Sequence, residues 1–77
     1  METYKYYLKD LVTLLKEKLE QAYNDLSEKP LKNEEGFLLG QKFALYDVLD
    51  LIKSQANAFG IPLNEIGLDN YILEKYL

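Results

Sequence analysis

Residues 33–62 read NEEGFLLGQKFALYDVLDLIKSQANAFGIP, and the fold turns on how this stretch is read. Phe37, Leu38, Ala44, Leu45, Val48, Leu49, Leu51, Ile52, Ala56 and Phe59 recur as they would on a helix of about 3.6 residues per turn. They cover about 160° of its circumference, more than the roughly 100° stripe of an ordinary surface helix. Leu39, Phe43 and Tyr46, at i, i+4 and i+7, add a further stripe on the other side. Asn33 is suited to cap the helix start, with Glu34 and Glu35 in the first turn, where the helix dipole favours negative charge. Gly60, with Pro62 just beyond it, ends the pattern. The expectation is a helix over 33–59 that needs more than one neighbour.

Working back toward the start, Tyr4, Leu8, Leu11, Leu15, Leu19, Ala22 and Leu26 alternate steps of three and four. Val12 and Tyr23 widen that stripe to one ordinary buried face. A helix over 3–28 follows, stopped before Pro30, because the residue preceding a proline is pushed out of the helical region. The connection, 29–33, is short, and two matched helices joined in this way form an antiparallel hairpin. Beyond Gly60 the pattern loosens. Pro62 near its start and Gly67 as its cap predict a single turn over 62–66. Asp69 or Asn70 then caps a last helix over 70–77, with Tyr71, Ile72, Leu73, Tyr76 and Leu77 as packing groups. The fold class expected is all-α, one domain over 1–77: an antiparallel two-helix hairpin with a short C-terminal helical segment, dimerising into a four-helix bundle.

Composition narrows the functions. Chains of this size have little core to stabilise them and usually lean on disulfides, metals or a second subunit. The 77 residues include no Cys and no His, so disulfides, thiolate sites and the commonest transition-metal ligand are all missing. Association is the aid left. The first 33 residues hold six acids and six lysines, whereas 34–77 hold seven acids and three lysines, so the net charge of -4 sits entirely in the second part. Arg, the usual reader of phosphate and guanine, does not occur. No nucleic-acid binding is expected, since such binders carry a basic face. The opening METYKYYLKD has no apolar core of a secretory signal, and no run approaches the roughly 18 apolar residues of a membrane span. A cytoplasmic protein without membrane contact is expected.

Chemistry is poorly served. Ser27, Ser54, Thr3, Thr13 and the lysines have no evident activating base, and Gly36, Gly40, Gly60 and Gly67 form no phosphate-cradling pattern. The close acid pairs Glu17/Glu20, Glu34/Glu35 and Asp47/Asp50 could hold a hard cation, but solvated helix faces explain them better. No catalytic residue, cofactor or metal is expected. Gly40, inside a helix at a cost of roughly 1 kcal/mol relative to Ala, is expected to lie against another backbone. Seven tyrosines suit partly wet interfaces or the edge of a core, and both readings stay open. The candidate interface is Leu39, Gly40, Phe43 and Tyr46 from the second helix with Tyr7 from the first.

From Tyr46 to Ile61, and on through Leu63, Glu65, Ile66, Gly67 and Leu68, the phrasing A-F-G-I followed by E-I-G-L resembles a group of short uncharacterised helical proteins of Gram-positive bacteria. The resemblance covers the second half of the chain and implies a helical hairpin with a structured C-terminal turn and no assigned activity. The function expected is a small interaction or regulatory protein without catalysis that pairs with itself, with room left for a further protein partner. Two alternatives are a bacteriocin-immunity-type helical bundle and an acidic inhibitor imitating nucleic acid through Glu34, Glu35, Asp47, Asp50, Glu65, Asp69 and Glu74.

Overall fold

The structure, a computed structural model, describes residues 2–77. Two long helices, α1 at Glu2–Ser27 and α2 at Lys32–Ala58, are followed by 3₁₀ turns at Leu63–Glu65 and Leu73–Tyr76. No strand occurs among the described residues. Asp25 and Glu28 share one cleft with Glu34 and Leu38, while Leu8 shares another with Ile52 and Ala56. The start of α1 therefore lies beside the end of α2, and the helices run antiparallel.

Each helix meets the other through a seam of alternating four- and three-residue steps. On α1 it is Leu8, Val12, Leu15, Leu19, Ala22 and Leu26; on α2 it is Leu38, Lys42, Leu45, Leu49, Ile52 and Ala56. All twelve are buried or half-buried, as in a short coiled coil, where a mean step of about 3.5 keeps one line of residues facing the partner. Val12, Leu19 and Leu49 are fully enclosed, and each such side chain contributes about 1.5–3 kcal/mol through burial. Tyr4 and Leu11, expected in the seam, lie outside it and are exposed. Val12 takes the inner place because a strict heptad passes through it.

Lys42 is the polar member of the seam, at 8% exposure. Its methylene stem fills the interhelical space while Nζ reaches the flank, 4.8 Å from the Phe43 ring centroid. An amphipathic side chain can thus line a core and still keep its charge near water.

The ends of α2 differ in how they are made. Leu31, not Asn33, is the cap residue: its carbonyl accepts from the backbone N–H groups of Glu34 and Glu35, each at 2.9 Å. Asn33 is already inside the helix. At the other end Ile61 N–H donates to the Ala56 carbonyl at 2.8 Å and Gly60 N–H to that of Asn57 at 3.2 Å. This double closure needs a left-handed residue, and Gly60 supplies it at φ 70. Gly67, at φ 79, makes the next reversal, with Leu68 N–H donating to the Leu63 carbonyl at 3.0 Å.

The segment after α2 is a clasp rather than a third helix. Ile66, Leu68, Leu73 and Tyr76 insert into the core, but the final α-helix expected over 70–77 is a 3₁₀ turn confined to Leu73–Tyr76. Asn70 adopts a left-handed φ of 59 and Ile72 is extended, so no regular helix can start where Asp69 or Asn70 would have capped it.

Candidate interaction face

The seam divides the hairpin into two sides. One residue turns a helix by about 100°. Because α1 and α2 run in opposite directions, residues one step after each seam position swing to one side, and residues one step before swing to the other.

The side after the seam is occupied along α1. Its α1 members Lys16, Glu20 and Tyr23 all touch the clasp. Lys16 donates to the Gly67 carbonyl at 2.8 Å, and its Nζ sits 4.7 Å from the Tyr71 ring centroid. Tyr76 donates its hydroxyl hydrogen to Glu20 Oε2. Tyr23 meets the Tyr76 ring edge-on at 5.1 Å, and Tyr71 stacks on the same ring at 6.1 Å. Lys75 adds a cation 4.9 Å from the Tyr76 ring and 3.9 Å from Glu20 Oε2. Burial drives the Tyr76 phenol well above its ordinary range; the bond to Glu20 adds to this, because ionisation would set a phenolate beside a carboxylate. Burial also raises the Tyr71 phenol, with the Tyr76 hydroxyl offsetting part of the effect. On α2 the same side holds Leu39 and Phe43, which stay exposed at 36% and 45%, and Tyr46. Tyr46 is half-buried against the core, its phenol raised by desolvation and then by Asp50, Glu74 and Asp47. Glu74 belongs to the clasp, which thus reaches across both helices.

The side before the seam has no such cover. Tyr7, Leu11 and Leu14 of α1 lie next to Val48 and Leu51 of α2, and all five are exposed, Tyr7 at 68% and Leu51 at 62%. Phe37 and Ala44 extend the stripe along α2. Charge enters it only through Lys18 and Asp25, at the end nearer the loop between the helices. Beside the seam used within the hairpin, each helix thus carries a shorter apolar stripe facing solvent, interrupted by Gln21, Gln41 and Gln55. Contiguous apolar surface of this kind marks a binding site more often than it is tolerated bare.

The five candidate interface residues are therefore not brought together. Tyr7 is on the open side, whereas Leu39, Phe43 and Tyr46 are on the side of the clasp. Gly40 is packed against nothing: a Cβ built on it meets no atom within 4 Å. Within this chain the expectation that it lies against another backbone is corrected, since position 40 points outward from the hairpin. Leu11, Leu14, Val48 and Leu51 are the members of the open side that the candidate set omitted. Their signal was the exact repeat of four and three one place before each seam, visible only once the seam itself is known.

At the end of the hairpin Tyr4, Lys5, Leu8, Ile61, Glu65 and Ile66 line an open cleft of about 430 Å³. Lys5 and Glu65 pair across it at 3.6 Å, both half-exposed, a geometry worth under about 1 kcal/mol. Among the described residues no group of His, Cys, Asp or Glu could hold a metal ion, and no helix is long and apolar enough to cross a membrane. Glu65 is engaged by Lys5, and Glu34 and Glu35 lie at the opposite end of α2 from Glu65 and Asp69. Comparison of the chain with protein-family models, with curated proteins and with solved structures found no match to any of them.

Proposed function

We propose that this chain is a non-catalytic interaction protein of the cytoplasm, acting by presenting the open side of its hairpin to a helical partner. The observation that carries the reading is the solvent-facing stripe. Tyr7, Leu11, Leu14, Val48 and Leu51 repeat the spacing of a packed interface, yet the hairpin itself packs nothing on them. A two-helix unit with one uncovered apolar side is half of a four-helix bundle, and a chain of 77 residues gains from the added core. The absence of Cys and His leaves no usual nucleophile–base pair, which supports binding over chemistry.

The test is a Leu14→Glu, Leu51→Glu double variant compared with the wild type in binding of an apolar fluorescent dye and in concentration-dependent sedimentation. Both positions are exposed, so the variant should keep its far-ultraviolet circular dichroism while losing dye binding and association. A wild-type chain that binds no dye and stays monomeric throughout, like the variant, would refute the reading.

A further inference from the structure

We infer that the partner on the open side is a basic amphipathic helix of another protein, with an apolar stripe flanked by lysine or arginine. This rests on the reading of the open side as a docking face and adds the chemistry of what docks there.

The way charge is divided between the two sides carries it. Most lysines are drawn to the clasp or to its side of the seam. Lys16 donates to the Gly67 carbonyl, Lys9 lies beside Gly67, Lys5 pairs with Glu65 and Lys75 with Glu20, and the Lys42 head sits by Phe43. Lys53, one place after Ile52, turns the same way. Lys29 and Lys32 stand at the loop, so among the described residues Lys18 is the single lysine that the helices place on the open side. Acids border that side instead. Asp10 and Glu17 follow its edge on α1 and Asp47 its edge on α2, each two places before a seam residue. At the loop end Asp25, Glu28 and Glu34 converge with Phe37 on a cleft of about 560 Å³, which neither Lys29 nor Lys32 lines.

A partner must answer both features. The stripe of Leu11, Leu14, Val48 and Leu51 takes apolar side chains. The acidic border takes cations, because opposite charge steers encounter and like charge is repelled. The Phe37 ring, 72% exposed at the cleft, offers a face over which a cation can lie. A second copy fits less well, since it would set one acidic border against another. A helix is the matching form: the open flanks of two packed helices leave a groove that a third can fill, presenting apolar anchors at i, i+3, i+4 and i+7.

The probe is a fluorescently labelled synthetic helix of about 20 residues, roughly 30 Å long, with leucine at heptad spacing and lysine on its flanks. It is titrated with the full chain and followed by anisotropy. Two control peptides carry glutamate in place of every lysine, or the same residues in scrambled order. The protein variants are the triple change Asp25→Asn, Glu28→Gln, Glu34→Gln and the double change Leu14→Glu, Leu51→Glu, each checked by far-ultraviolet circular dichroism. The lysine peptide should bind, and both controls should bind at least about tenfold more weakly. The triple variant should lose about three- to tenfold in affinity for it, and added salt should weaken binding. The double variant should lose binding although it is more acidic. Equal binding of the lysine and glutamate peptides, or a triple variant that binds as the wild type does, overturns the basic partner and leaves the docking face standing. So does a wild type that binds dye but not the lysine peptide. Binding of the lysine peptide that survives scrambling or the double change overturns the docking face as well.

Discussion

Tyr76 donates its hydroxyl hydrogen to Glu20, 56 positions earlier, and so fastens the end of the clasp to the middle of α1. The ring is 1% exposed, whereas the Glu20 side chain is half in water. Hydrogen bonds to charged groups contribute about 1.5–3 kcal/mol, and the exposed carboxylate can be rehydrated. Tyr76→Phe should therefore cost about 1–2 kcal/mol, read by urea denaturation at neutral pH. Tyr76→Ala, which also empties the core site, should cost about 3–5 kcal/mol and release the clasp.

The same contact sets an alkaline limit. An unfolded phenol ionises near pH ~10, whereas the folded Tyr71 and Tyr76 hold their protons to higher pH. Above that point the unfolded chain binds fewer protons than the folded one. Stability is full below about pH 10 and falls as pH rises further. Denaturation curves from pH 8 to 11 should show this fall, and Tyr76→Phe should make it shallower. Equal slopes for the two proteins would show that Tyr76 is not held protonated by the fold.

Gly40→Ala should stabilise. The added methyl meets open space, so helix propensity acts alone and contributes about 1 kcal/mol, or roughly 4–8 °C in melting temperature for a chain of this size. A loss of stability would show that another molecule approaches this position in solution.

Lys42→Met should leave stability unchanged or raise it by about 1 kcal/mol. It keeps the stem that fills the seam and removes the need to carry a charge out of it. Lys42→Ala deletes the stem as well and should cost about 1–2 kcal/mol. Thermal melts of both decide whether the stem or the charge is what the seam uses.

Leu19 and Leu14 make a matched pair on α1. Leu19→Ala, at a fully enclosed position, should cost about 2.7–5 kcal/mol. Leu14→Ala, at 48% exposure, should cost under about 1 kcal/mol in dilute solution. If the open side docks a partner as proposed, the cost of Leu14→Ala should grow as the concentration of that partner is raised, because the side chain would then be enclosed.

Much of this fold was legible beforehand. The two helices, expected over 3–28 and 33–59, span Glu2–Ser27 and Lys32–Ala58, because Pro30 and Gly60 punctuate strongly and apolar spacing is a robust signal. The seam was harder. Lys42 looks polar, so the strict repeat through Leu38, Leu45, Leu49, Ile52 and Ala56 was broken on paper at the place where the stem fills it. On α1, Tyr4 and Leu11 were as apolar as Leu8 and Val12, and with two adjacent heptads on one helix composition cannot say which is turned inward. The extra stripe of Leu39, Phe43 and Tyr46 was seen, but whether the clasp would lie on its side depended on contacts between residues some fifty positions apart, such as Lys16 with Gly67. Local spacing does not encode these.

The clasp lies along one side of the hairpin alone, and this limits what the protein can build. A lone hairpin with apolar stripes on both sides could stack without end, each unit offering a fresh surface to the next, as fibres do. Here Tyr71, Leu73 and Tyr76 already cover part of one side, so less of it is left on which a further copy could stack. If the open side docks a partner as proposed, the C-terminal turn would act as a stopper against continued stacking through the other side. Trimming it would lose more than its few core contacts, since it would also bare the apolar groups of the hairpin that it covers.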